Sequence, residues 1–372
     1  MKKYFVMAAL AVSTLTASAQ SVVPKWINNV KLSGFGIVQY TYNGQKSNES
    51  NSFNLRLARL ALDGRAFDDW YWKAQIQFNG NTSTLGSSPK LVDLFIEWQK
   101  YDFLRVKAGQ FKNPFTYENP MHPIDQGFMS YSQVISKFAG FSDRAGAHSS
   151  NGRDIGVQLQ GDFLKNASGR NLIHYQVGVF NGQGINVKDV DQQKNIIGGA
   201  WVMPVEGMRL GAFGWIGSYA RKGTSASEGI TNTTLRRLQQ RRYAFSAEYK
   251  VDDWTFRSEY VHSTGYAFAK AMVNTNDASA KDITLSSNGD KSQGVYALVI
   301  APIIKKKCHA KARYDMYQPS KGAEKQRTQY EIGLDYYFNK NICLTGEYAY
   351  IHDRALADPN YSMIDVELSY RF

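Results

Sequence analysis

Apolar and polar residues alternate one for one along much of this chain. In the last segment Ile364, Val366, Leu368, Tyr370 and Phe372 point one way, while Met363, Asp365, Glu367, Ser369 and Arg371 point the other. A period of two with charge on one side describes a strand with oil on one face and water on the other. Trp70, Trp72, Ala74, Ile76 and Phe78 repeat it against Tyr71, Lys73, Gln75 and Gln77. So do Ile155-Val157-Leu159, Tyr243-Phe245-Ala247-Tyr249 and Tyr330-Ile332-Leu334-Tyr336 with their polar neighbours. The pattern predicts strands over 31–42, 53–66, 70–78, 90–100, 104–111, 153–163, 172–180, 195–205, 208–217, 240–250, 254–263, 291–302, 308–317, 327–338, 341–350 and 362–372. Most come close to the 9–11 residues that a tilted strand needs to cross a bilayer.

The connections sort by length. Those after even-numbered strands are short, such as Phe67-Asp68-Asp69, Tyr101-Asp102-Phe103 and Asp252-Asp253, and those after odd-numbered strands are long. Short turns on one side and long loops on the other are the habit of an outer-membrane barrel, with the long loops outside. An open edge in hydrocarbon leaves unpaired N–H and C=O groups at several kcal/mol each, so the sheet must close. The expected fold is therefore all-β: a closed antiparallel transmembrane β-barrel of about 16 strands, wide enough for an aqueous channel.

Composition adds to this picture. Aromatic residues make up 13% of the chain, with 23 Tyr, as suits strands and interface belts. The mean hydropathy of −0.41 is what inward polar faces produce. The start reads as an export signal: Lys2 and Lys3, an apolar stretch from Val6 to Leu15, then Ala17-Ser18-Ala19. Cleavage is expected after Ala19, giving a signal peptide at 1–19 and one barrel domain at 20–372. The expected location is the outer membrane of a Gram-negative bacterium, with outer-membrane lipid as a partner. Without Lys2 and Lys3, 42 Lys+Arg stand against 32 Asp+Glu. Such a field concentrates small anions, and export argues against nucleic acid. Cys308 and Cys343 start strands that are not neighbours, so no pairing is expected between them.

No catalytic motif is expected. The six histidines are scattered without a nucleophile motif, and no His/Cys spacing suggests a metal or other cofactor. Two alternatives to a channel stay open: a barrel enzyme or closed structural barrel plugged by loop 112–152, and a soluble secreted β-sandwich.

Val106-Lys107-Ala108-Gly109-Gln110-Phe111-Lys112-Asn113-Pro114-Phe115 resembles the "G-Q-F-K-x-P-F" signature of the phosphate-selective porin O and P family. Gly152-Arg153-Asp154-Ile155-Gly156-Val157 resembles its "G-R-D-I-G-V" strand, and Tyr175 to Gly182 its "Y-x-V-G-V-F-N-G" segment. Arg56-Leu57-Ala58-Arg59-Leu60 is similar to its arginine-rich second strand, with Leu57 where another arginine often stands. The resemblance implies a homotrimeric porin of 16 strands. It also implies a third loop folded inward and basic residues that attract phosphate.

Facing supplies the candidate pore lining. With apolar residues towards lipid, the inward set includes Arg59, Arg65, Lys73, Arg105, Lys107, Arg242, Lys250, Arg257, Lys311 and Arg313. Arg56 joins it from the second strand, Lys112, Lys137 and Arg144 from loop 112–152, and Arg153 from the position directly after that loop. Guanidinium groups can replace part of an anion's water with charge-assisted hydrogen bonds, and Lys offers a point charge. Arg236-Arg237 with Arg241-Arg242 reads as a basic vestibule in or beside loop 218–239. Inward acids cluster late in the chain (327–372), which predicts a lumen polarised from side to side.

Overall fold

The computed structural model describes residues 24, 26–79, 89–140, 152–189, 191–223, 235–265, 279–280 and 290–372. Sixteen long strands form its wall. They are β1 Ile27–Asn43, β2 Ser50–Ala66, β3 Trp70–Gln77, β4 Lys90–Tyr101, β5 Leu104–Lys112, β6 Arg153–Lys165, β7 Asn171–Phe180 and β8 Asn195–Val202. They continue as β9 Met208–Gly223, β10 Leu235–Val251, β11 Trp254–Gly265, β12 Asp290–Ile304, β13 Cys308–Gln318, β14 Arg327–Asn339, β15 Ile342–Asp353 and β16 Asn360–Arg371. A two-residue bridge, Ser279–Ala280, runs parallel to Lys222–Gly223 in the connection after β11.

Each long strand pairs antiparallel with its neighbours in sequence, and β1 pairs with β16, from Phe35↔Arg371 to Asn43↔Met363. Gly34 and Phe372 exchange backbone bonds of 3.1 and 3.0 Å at the end of that seam. The sheet has no free edge, as hydrocarbon demands. All sixteen expected strands are present. The largest difference is at the β9–β10 hairpin, which runs past the expected ends at 217 and 240. Arg236 and Arg237 therefore lie within a strand rather than in a loop.

The two faces differ as the alternation requires. On β14, Tyr330, Ile332 and Leu334 are 54–60% exposed, whereas Glu331 and Asp335 are 6% exposed. Outward Tyr314, Tyr330 and Tyr350 stand in register across β13, β14 and β15 towards the long loops. Near the short turns, Tyr336 packs edge-on to Phe338, and Trp254 stacks on Phe256. These are the aromatic rows that flank the apolar band of a membrane barrel. No described helix is long and apolar enough to cross a membrane. Cys308 and Cys343 are free thiols on non-adjacent strands.

The buried apolar cluster lies inside the barrel. Phe115, Tyr117, Phe128, Val134, Ile135 and Phe138, from the connection after β5, pack against inward residues of β8 to β13 such as Ile197, Trp215 and Tyr296. That connection holds one turn of 3₁₀ helix, Pro123–Asp125, and one short helix, α1, Gln133–Phe138.

Candidate functional site

The entrance to the inward loop is built from the motif residues. Gly109 has φ +132°, and a Cβ there would lie 2.2 Å from the Leu94 carbonyl, so only glycine fits. Gln110 donates to the Leu91 and Val92 carbonyls at 3.2 Å and accepts from the Asn186 amide at 2.7 Å. Asn119 closes the neck, donating to the carbonyls of Asn113 and Gly152 at 2.9 and 3.2 Å. Asp154 accepts from the Gly182 amide at 2.7 Å, so two of the motifs meet in space.

Beyond the neck, the loop backbone is held by charge. Wall cations take its carbonyls: Lys112 those of Asn119 and Met121 (2.6 and 2.8 Å), Lys311 that of Gly127 (2.8 Å), and Arg313 that of Ser130 (3.0 Å). Arg56, Arg242 and Arg257 donate to the carbonyls of Met129, Phe138 and Gln126. Wall carboxylates take its amides. Glu259 accepts from Tyr117 and Glu118 at 2.7 and 2.9 Å, Glu347 from Met129 at 2.9 Å, and Asp315 from Gln133 at 2.7 Å. A loop without its own ladder must find partners for its N–H and C=O groups, and inward charges supply them.

Four of these cations are also paired with acids. Arg313 forms a two-pronged bridge to Glu331 at 2.5 and 2.9 Å. Lys311 meets Asp335 and Glu347 at 2.8 and 2.7 Å, Arg56 meets Glu367 at 2.7 Å, and Arg257 meets Glu248 at 3.3 Å. Arg153 binds Asp93 through two nitrogens at 2.6 and 3.1 Å. Arg59 is buried against Gln77 and the Phe35 ring. Lys137 lies over Tyr317. Of the candidates, Arg144 lies outside the described residues, as does the expected leader at 1–19.

Arg65, Lys73, Arg105 and Lys107, on β2, β3 and β5, touch no described part of the loop backbone by hydrogen bond. Arg65 donates to the Asp68 carbonyl and to Gln99 at 2.9 and 3.1 Å, near a short turn. Arg105 bridges to Asp162 at 2.5 Å and Lys107 to Glu97 at 3.7 Å. Arg209, which the facing argument left out, belongs with them, at 2.9 Å from Glu248 and stacked over Tyr117. Arg105, Lys107 and Arg209 keep 23, 18 and 27% of their side-chain surface, and Lys250 keeps 54%. Glu97, Glu248, Glu331, Asp335, Glu347 and Glu367 keep only 5–8%. Asp162, at 19%, is the more accessible acid. In the pairs of Arg105, Lys107, Arg209 and Lys250 the cation is therefore more accessible than its acid.

Towards the short turns the loop roofs a cavity of about 220 Å³, lined among others by Asp125, Lys250, His309, Lys311 and Glu367. His122 sits at this roof, edge-on to Phe35 at 4.3 Å, with its Nδ1 accepting from the Ile124 amide. Burial pushes the imidazole down to about 4, although Asp125 pulls the other way. The neutral ring's contribution is complete above the unfolded value of about 6.5 and is lost as pH falls from there towards 4. A proton NMR titration should show a ring midpoint well below 6. A midpoint near 6.5 would mean that the loop does not shelter it.

The family model for phosphate-selective porin O and P matches residues 33–191, a span that contains β2 to β7 and the whole inward loop. Over that span the chain is similar to the phosphate-selective porin O and P family, and its closed barrel is the fold of outer-membrane porins. No curated protein matches it by sequence. Among solved structures, the chain is similar to an anion-selective porin from Comamonas acidovorans, at 14% identity and TM-score 0.62, covering 92% of this chain and 99% of that one. A loop-deletion form of OmpT, an outer membrane protein of Vibrio cholerae, gives 13%, 0.63, 92% and 99%. The outer membrane channel DcaP of Acinetobacter baumannii gives 13%, 0.61, 92% and 97%.

Proposed function

We propose that this chain is a porin that passes small hydrophilic anions, phosphate or similar, by passive diffusion past the inward loop. The imbalance of accessible charge carries the reading: Arg65, Lys73, Arg105 and Lys107 reach the lumen, while most inward acids are buried and paired. In this reading those four cations, with Arg209, form the anion path. Arg56, Lys112, Arg153, Arg242, Arg257, Lys311 and Arg313 hold the constriction in shape. The chain acts as a channel, not an enzyme. The leader is removed after Ala19, the long loops face outward, and three copies assemble, as the family resemblance implies.

The zero-current potential in a planar bilayer under a KCl gradient tests the reading, with chloride expected to carry more current than potassium. Potassium selectivity would overturn the anion preference. The density of loop-to-wall bonds favours a second reading, a barrel closed by its own loop. Zero conductance, with no solute leak from vesicles, would select it.

A further inference from the structure

The outside of the wall carries a charged feature that transport does not use. On β10 the odd-numbered residues face outward: Tyr243 and Phe245 are 45 and 56% exposed, and Arg242 between them and Arg241 is buried inward. Arg241 is therefore on the lipid side and not in the basic vestibule expected from the sequence, and its register partner, Ile216, is 61% exposed there. The same row crosses Thr264 on β11 and reaches Lys291 on β12. Arg241 and Lys291 are both exposed and stand two strands apart, roughly 10 Å. They lie about 7 Å above the row of Tyr243, His262 and Gln293, one side-chain repeat along the strands.

That lower row is polar and already organised. Tyr243 stacks on His262 at 5.0 Å. Tyr260 donates to Gln293 at 3.0 Å, and Gln293 donates to Gln318 at 2.8 Å. Tyrosine and polar groups mark the level where hydrocarbon gives way to headgroups. Below them, among the described residues, the outward strand faces are uncharged down to the lower aromatic row. A guanidinium and an ammonium just above this level, on the side of the long loops, face the anionic part of the outer leaflet. Arg241 has no hydrogen bond or ion pair among the described residues, so its fork of donors is available.

We propose that Arg241 and Lys291 form a binding site for a phosphate of the phosphorylated glycolipid of the outer leaflet, with the Tyr243–His262–Gln293 row seating the sugar above the acyl chains. The site rests on the membrane placement of the barrel and not on which solute it passes. Basic residues at a membrane surface each strengthen binding to anionic lipid, and the planar fork of arginine suits phosphate.

The test is native mass spectrometry of the full-chain barrel in detergent, titrated with diphosphorylated lipid A or with its dephosphorylated form. The wild type is expected to retain the diphosphorylated lipid at least about tenfold better, and R241Q/K291Q to lose about tenfold. R241K/K291R should recover much of the loss, and K321Q/K325Q, with the same charge change in an exposed loop, should bind as wild type. Heat-modifiable gel mobility reports folding for each variant. Wild-type binding by R241Q/K291Q, or equal retention of the two lipids, would overturn the site. So would efficient cross-linking of two Gln293→Cys copies in membranes, because a second copy would then cover the surface. Conductance of the same preparations scores the channel reading separately, and R241Q/K291Q should leave it unchanged.

Discussion

Replacing Glu259 with alanine is expected to lift the first limb of the inward loop and give a wider, noisier channel. Its buried carboxylate accepts from the Tyr117 and Glu118 amides, from the Tyr296 hydroxyl at 2.7 Å, and from Ser246. Removing it orphans four donors and leaves Arg257 with one fewer acid nearby. Breaking a buried charged cluster in this way costs about 3–5 kcal/mol, since each stranded group costs about 1–3 kcal/mol. Glu347 and Asp315 still hold Met129 and Gln133, so the second limb should stay docked. Single-channel recording should show raised conductance, and protease should cut within 113–126 in folded protein. Unchanged conductance together with protease resistance would mean that aromatic packing alone seats the loop.

The second large effect is on selectivity. Arg65→Gln, Lys73→Gln, Arg105→Gln and Lys107→Gln together remove four positive charges and keep polar side chains that fit the wall. Asp63, Asp162 and Glu97 would then dominate that side. Each charge in a watery lumen contributes a few tenths of a kcal/mol to about 1 kcal/mol for a passing ion. The chloride-to-potassium permeability ratio should therefore fall by about tenfold or more, and the zero-current potential should move towards the potassium limit. Neutralising Arg242 and Arg313 instead should disturb the loop while moving the potential far less. If the quadruple change leaves the potential where it was, the anion path lies elsewhere.

The wall was legible because hydrocarbon enforces alternation residue by residue. Glu331 and Ile332 differ by one position and face opposite solvents, and no tertiary detail can alter that. The function of the inward cations was far less legible. Alternation fixes that Arg257, Lys311 and Arg313 face inward but not what awaits them there, because the partner carbonyls come from a loop distant in sequence. Part of the answer lay in hairpin register, which sets Glu248 opposite Arg257 and Arg313 opposite Glu331. Arg56 needed more. It is three residues from Arg59, yet both turn inward, because the β1–β2 register shifts between Ile37 and Val38 and leaves Arg56 unpaired in a bulge. Arg209 was passed over although its hairpin partner is Glu248.

The seam between β1 and β16 has a consequence for biogenesis. The inner hairpins can zip as soon as they are synthesised, but the donors and acceptors on the outer side of β1 have no mate until the final dozen residues emerge. A nascent chain lacking them would present two raw margins to lipid, at several kcal/mol for each stranded group. Insertion must therefore either wait for the complete polypeptide or borrow a temporary strand from a helper. Deleting 360–372 should leave an uninserted chain that is cleared by proteolysis, not a slightly narrower pore.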